Sequence, residues 1–373
     1  KTAHLWREYN NNAALLPSGF SDFTQWLLVP GRQWQFTNGN NTVRTYRFFS
    51  DPTRPAINFT QNPSNPTAVT CPNNSTITCW VNLATTNNST TEPSTAINGI
   101  GTNSIGSAIA VARQALRELR PNQNLDETER VISVGNAQYH GLVLELRSRF
   151  RQLGGGFGSS LRFVYTLSRL MDDGLNNTTN AEINSDFSRE WSRARQDRLH
   201  RFTISGTVES PWWLGKVRFS PLFRYGSSAP FDLGSGVDRN LNDVSTDKPN
   251  FSGSLDELVW REPGTPFPED LYNKFSMPLI GSISGNIPRN AGRGPSMYLF
   301  DINVSREFRF TERLRFRPNI EVDNIFNAAV FNFGSEFINF FGSTPTQLQK
   351  DGFLVPSRTY RPRDLRFGFR FDF

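Results

Sequence analysis

No stretch of the 373 residues approaches the ~18 consecutive apolar positions that a transmembrane helix requires, and mean hydropathy is −0.49. A helical membrane protein is excluded. Cysteine is nearly absent: Cys71 and Cys79 stand alone in a polar stretch, with no CxxC or CxxCH motif and no His-rich cluster. His4, His140 and His200 are scattered. Zinc, haem and redox-motif readings therefore have no support, and neither a metal nor a cofactor is expected. No basic run or patch occurs. Lys+Arg 40 against Asp+Glu 34 gives +6 with the signs interspersed, whereas a nucleic-acid binder gathers its positive charge. No Ser/His/Asp order, nucleophile elbow or phosphate loop is found, since the glycine-rich run at 154–158 lies between two strand patterns and lacks a lysine. No catalytic constellation points to an enzyme. Lys1 opens the chain without Met or leader, which reads as a processed or truncated polypeptide.

Phenylalanine is plentiful: Phe 32 against Tyr 8, Trp 8 and Met 3. A soluble core would draw more on Leu, Ile and Val. In the second half these residues alternate with polar ones. Leu142, Leu144, Leu146 and Phe150 are interleaved with Glu145, Arg147 and Arg149, and Leu161, Phe163, Tyr165 and Leu167 with Arg162, Thr166 and Ser168. The same alternation recurs over 201–208, 217–225, 300–310, 314–323 and 365–373, the last reading Leu365, Phe367, Phe369, Phe371 and Phe373 against Arg366, Gly368, Arg370 and Asp372. Period 2 assigns each set to one face of a strand.

Alternation is shared by soluble sheets, so the connections decide. Tight turns at Gly154-Gly155-Gly156, Pro211–Gly215 and Thr311-Glu312-Arg313 alternate strictly with long polar segments at roughly 171–198, 232–295 and 329–357. Short turns at one end and long loops at the other are the pattern of outer-membrane barrels, with short periplasmic turns and long extracellular loops. The fold expected is all-β: an antiparallel transmembrane β-barrel embedded in the outer-membrane bilayer, with Phe373 at the periplasmic end. Residues 1–8 read as the end of a strand. Residues 9–129 read as one large extracellular loop region, with a short amphipathic helix from Ser107 to Arg120 stopped by Pro121. Seven further strands fill 130–373.

Several stretches resemble the barrel of Oar-like TonB-dependent receptors of Gram-negative bacteria: HLWREYN (4–10), NAQYHGLVLELRSRF (136–150), LRFVYTLSRLMDD (161–173), RQDRLHRFTISGTVE (195–209), FRYGSSAPFDL (223–233), VDRNLND (237–243), YLFDINVSREFRFTERLRFRPNIEVDNIFNAAVFNF (298–333) and PRDLRFGFRFDF (362–373). The resemblance implies a plugged barrel of about 22 strands, an N-terminal plug, and import powered through the TonB complex. It also implies a terminal strand, with Phe369, Phe371 and Phe373, of the kind read by the barrel-assembly machinery. The chain departs from that pattern in having about eight strand patterns and neither plug nor TonB box. It is therefore expected to form part of a larger barrel: an open, curved sheet whose edges are completed by an N-terminal part of the same protein or by a partner chain.

Arg162, Arg201, Arg218, Arg224, Asp301, Glu307, Glu321, Asp323, Arg366 and Arg370 all fall on the polar face and are candidate lumen-lining residues. The simpler role for each is a charge pair across the ladder. Asp238-Arg239-Asn240-Leu241-Asn242-Asp243 begins like a calcium loop but lacks Gly at its sixth position and has Pro249 where Glu belongs, so a polar turn at the barrel mouth is expected. Trp212, Trp213 and Tyr225 fit interfacial aromatic girdles. Two functions are compatible with these features: the wall and ligand-gathering loops of an importer, or an anchor for an adhesive surface structure.

Cys71 and Cys79, eight positions apart in an exported loop, are expected to form a local disulfide. Alkylation without reductant should leave the mass of the protein unchanged; two alkyl adducts would show free thiols.

Overall fold

The structure, a computed structural model, describes residues 2–20, 23–27, 29, 34–37, 43–49, 82–86, 113–125, 127–174, 181–183, 186–235, 238, 240–244, 247–276, 278, 285–333, 338–339, 347–360 and 362–373. Cys71, Cys79 and residues 107–112 of the expected helix lie outside the described residues. Residues 113–119 are helical, ending in the 3-10 turn Leu116–Leu119 just before Pro121.

Ten strands bond into one sheet, and two of them are the two-residue segments Ser192–Arg193 and Phe308–Arg309. The other eight form a wall in chain order: β1 Thr2–Asn10, β2 Glu129–Gln152, β3 Gly158–Asp172, β4 His200–Glu209, β5 Arg218–Gly226, β6 Met297–Ser305, β7 Arg315–Asp323 and β8 Asp364–Asp372. Each pairs antiparallel with the next. β4 has ten residues and β5 to β8 nine each, the length a tilted strand needs to cross a bilayer. Tight turns at Gly154–Gly156, Trp212–Leu214 and 310–314 close one end of the wall, and the long connections all lie at the other.

The register sets every strand's apolar residues on the same face. Leu144, Tyr165, Phe202, Tyr225 and Tyr298 form one cross-strand row, and Leu146, Phe163, Ile204, Phe223 and Phe300 form the next. The face continues through Ile302 beside Val322 and Ile320 beside Phe367. Ring centroids along it lie 4.8 Å apart for Phe202 and Tyr225 and 4.6 Å apart for Phe316 and Phe371. Much of this face stands open: Phe367 and Phe369 are each 73% exposed, and Trp212 at a tight turn 76%. An uncovered apolar surface of this extent is tolerable only against another apolar medium.

Two prolines interrupt the ladder inside the wall. Pro221 lies in β5 where the β4 pairing lapses between Ser205 and Val208, and Pro318 lies in β7 opposite the break between β6 and Phe308–Arg309. Proline has no N–H to donate, so each leaves a gap.

Two features go beyond the expectations. The alternation over 142–150 belongs to a strand that runs from Glu129 to Gln152, 24 residues. At ~3.4 Å per residue this is roughly 80 Å, far more than a bilayer core of about 30 Å. Its first part, with Val131, Ile132 and Val134 close together, lacks clean alternation because it extends past the stretch with one wet face. β1 pairs with this first part only, Thr2 opposite Gln138 and Asn10 opposite Glu129. Second, the segments read as polar loops are folded, as described below.

Among the described residues β1 bonds only to β2 and β8 only to β7, so these eight strands do not close. Arg at Phe163 or Phe369 is expected to cost ~2–4 kcal/mol near the bilayer midplane, while Ser at Arg162 or Arg370 should be nearly neutral. Folded yield in bilayers measures both, and equal tolerance on the two faces would contradict the assignment of the apolar face.

Candidate functional site

On the polar face most of the candidate charges are paired, some across the ladder and some along one strand. Arg162 bonds Glu145 at 2.8 Å, Arg218 bonds Glu209 at 2.7 Å, and Arg224 bonds Asp301 at 2.5 Å. Asn303 donates to Glu321 at 3.1 Å. Arg366 bonds Asp323 and lies 3.7 Å from Glu321 and 3.6 Å from Asp364. Arg370 meets Asp372 at 2.7 Å, and Glu307 receives both Arg309 and Arg317 at 2.6 Å. Arg201 donates to the Gln196 carbonyl at 2.7 Å. Most of these charges thus have an opposite charge beside them, whereas Arg201 is held by a backbone carbonyl.

At the long-loop end the connections between strands build a second layer with a dry interior. Phe231, Leu233, Phe251, Leu258, Tyr272, Phe275, Ile287, Phe353 and Leu354 are all buried and form one cluster. Phe353 sits edge-on to Phe267, Tyr272 and Phe275 at 5.6, 5.4 and 5.9 Å. Phe231 stacks on Phe333 at 3.9 Å. Burial pushes the Tyr272 phenol far above its ordinary range. Short ladders join the layer: Pro230–Phe231 with Gly292–Arg293, Leu233–Gly234 with Ile338–Asn339, and Phe331–Asn332 with Arg358–Thr359. Arg261 fans its guanidinium over the carbonyls of Thr265 (2.7 Å), Lys350 (2.6 Å), Asp351 (3.1 Å) and Phe353 (3.1 Å). Burial lowers its pKa. The connection after β5 is thereby tied to the one after β7.

Polar groups fasten this cap to the strand ends. Arg289 bonds the Asp172 side chain at the top of β3, the Asp172 carbonyl at 2.7 Å and the Glu190 carbonyl at 2.8 Å. The Asn290 side chain donates to the Arg193 carbonyl at 2.8 Å. Lys248 pairs with Asp232 at 2.5 Å with both side chains buried, and Asp232 also accepts the Asn290 N–H at 2.9 Å. Glu182 accepts the Lys248 N–H at 2.8 Å, and its carbonyl takes the Asn240 and Asn242 amides.

The 238–243 turn closes on itself. Asp238 accepts the N–H groups of Asn242 and Asp243 at 3.1 and 2.9 Å and the Arg113 guanidinium at 2.7 Å. Asn240 and Asn242 accept the N–H groups two residues on, at 3.0 and 2.9 Å. Arg120 bonds Asp243 at 2.6 Å, so the 113–120 helix is stapled to the turn by two arginines. Burial pushes the Asp238 carboxyl up, against the opposing pull of Arg113. The side-chain oxygens of Asp238, Asn240, Asn242 and Asp243 are engaged by N–H groups of the segment and by the two arginines. Among the described residues no group of three or more His, Cys, Asp or Glu is placed to hold a metal ion.

Sequence reasoning placed the polar-face charges but missed the cap core and the Arg289 and Lys248 anchors. The aromatic residues of the core are spread over several long connections, so no one local pattern announced them.

An uncovered apolar face, a charged opposite face, bilayer-length strands and a one-ended arrangement of long loops together define an outer-membrane β-barrel wall. A family model described as Outer membrane beta barrel domain matches residues 81–353. The chain belongs to that family, and its place is the outer membrane, with the apolar face against lipid. No curated protein and no solved structure matches the chain.

Lys248→Met is expected to destabilise the cap by about 3–5 kcal/mol, because Asp232 is left buried without its counter-charge. The double change Lys248→Met with Asp232→Leu should recover most of the loss. Hydrogen exchange at residues 230–235 and 287–293 reads both; equal protection in the single variant and the wild type would contradict the anchoring role.

Proposed function

We propose that this chain is the wall and mouth of a TonB-dependent importer of the Oar-like kind, carrying an unidentified ligand. The tight turns then lie in the periplasm, the cap lies outside the cell, and Phe373 ends at the periplasmic side. The observation that supports this best is that eight strands leave the sheet open. A closed eight-stranded barrel has an interior just wide enough for side chains to fill it, which suits an anchor. A wall that spans eight strands without closing belongs to a wider barrel, with room for a passage or a plug. The charged inner face agrees, because charges such as Arg162, Arg201, Arg224 and Arg366 in a narrow dry core would be costly.

The free edges of β8 and of β2 below Gln138 must be paired in hydrocarbon, where a bare N–H or C=O costs several kcal/mol. Further strands from the same protein or a partner chain, together with a plug that engages TonB, complete the assembly in this reading. Phe369, Phe371 and Phe373 are then the signal for the barrel-assembly machinery.

A second reading has one observation of its own. The cap carries its own aromatic core, as would a stable surface module presented by an anchor. Cells lacking the protein, compared with wild-type and TonB-deficient cells across a panel of labelled solutes, separate the two. The importer reading expects TonB-dependent uptake of at least one solute to vanish with the protein. Unchanged uptake together with lost surface adhesion would favour the anchor.

A further inference from the structure

We propose that the polar wall of β2 and β3, near the tight-turn end, binds an anionic solute carrying carboxylate or phosphate groups. This names the substrate class of the proposed importer and rests on that reading. A cavity of about 590 Å³ opens on this wall, lined among others by Arg147, Arg149, Arg162, Ser160, Ser205 and Thr207. That is within the range of small-ligand sites.

Three arginines, Arg147, Arg149 and Arg162, meet at this cavity. Arg147 and Arg162 are directly opposite in the β2–β3 register, so their side chains leave the same face as neighbours. Like charges in that arrangement destabilise a ladder. The cavity's one carboxylate, Glu145, is already bonded to Arg162 at 2.8 Å. Arg147 and Arg149 are exposed, and neither has a carboxylate within 4.0 Å among the described residues. By contrast Arg218, Arg224, Arg317, Arg366 and Arg370 each meet a carboxylate. Positive charge is thus in surplus at this cavity, which four hydroxyl side chains, Ser148, Ser160, Ser205 and Thr207, also line. Thr207 shares one hydrogen bond with Ser220 at 3.3 Å, and its second bonding position remains open to a ligand. Guanidinium forks match carboxylate and phosphate oxygens two at a time, and the hydroxyls supply further donors. A bound anion relieves the Arg147–Arg162 repulsion that the fold otherwise carries.

The test is calorimetric titration of the full-length protein in detergent with citrate and with inorganic phosphate, using glucose as the neutral probe. Saturable, salt-sensitive binding of citrate or phosphate but not glucose is expected, weakened at least about tenfold in the double variant Arg147→Gln/Arg149→Gln. Arg313→Gln, which removes one positive charge from a tight turn, should bind as the wild type does. No anion binding by the wild type, as when a carboxylate of the protein itself fills the site, would overturn the proposal. So would a double variant that binds unchanged while retaining its folded spectrum. Failure of the importer reading looks different: citrate binds and the double variant loses it, yet cells lacking the protein take up every solute normally.

Discussion

A backbone N–H or C=O in hydrocarbon has no water to bond, so each must find its partner within the sheet. The rest of the wall follows from that. Antiparallel pairing in chain order satisfies these groups with the shortest connections, and the strict two-residue period then fixes which side chains meet lipid. A slip of one residue at any strand would put Arg162 or Arg366 into lipid and Phe163 or Phe367 onto the charged face. The rows from Leu144 to Tyr298 and from Leu146 to Phe300 show the register holding over five strands. Pro221 and Pro318 are informative exceptions. Each gives up one ladder bond, and each points to the apolar face, where its ring adds to the surface offered to lipid.

The wall has no core of its own. Its apolar residues are turned outward, so its cohesion comes from the ladder, from aromatic contacts along one face and from ion pairs along the other. The cap faces the opposite problem, since it stands in water and must bury apolar surface to fold. Its aromatic cluster around Phe353 answers that need, and Arg289, Asn290 and Arg261 transmit the order of the cap to the strand ends and between connections. The three long connections after β3, β5 and β7 are therefore one layer and not independent loops.

What the sequence disclosed follows the range of the interactions. The polar face of β8 could be read because Arg366, Arg370 and Asp372 recur at every second position, a signal contained in nine residues. Which charge meets which could not be read, since Arg224 and Asp301 lie 77 positions apart and meet only once β5 and β6 are in register. The cap was less legible still. Phe231 and Phe333 come from different connections, 102 positions apart, and meet only once the layer has folded. Composition was more telling than pattern there: a wall of eight strands does not need Phe251, Phe267, Phe275 and Phe353, and their presence between strands required a second core.

The length of β2 joins wall and cap. Only its stretch from Ala137 to Gln152 pairs with β3, whereas Glu129 to Gln138 pairs with β1, so the hairpin partner changes near the point where β3 ends. At that same level Asp172 receives Arg289 from the cap, and Asp173 receives the Asn136 N–H at 2.7 Å from β2. Adjacent carboxylates thus hold, from one corner of β3, both the protruding strand and the folded layer. β2 thus serves both parts: its stretch beside β3 belongs to the wall, and its stretch beside β1 rises past the corner that Asp172 and Asp173 hold.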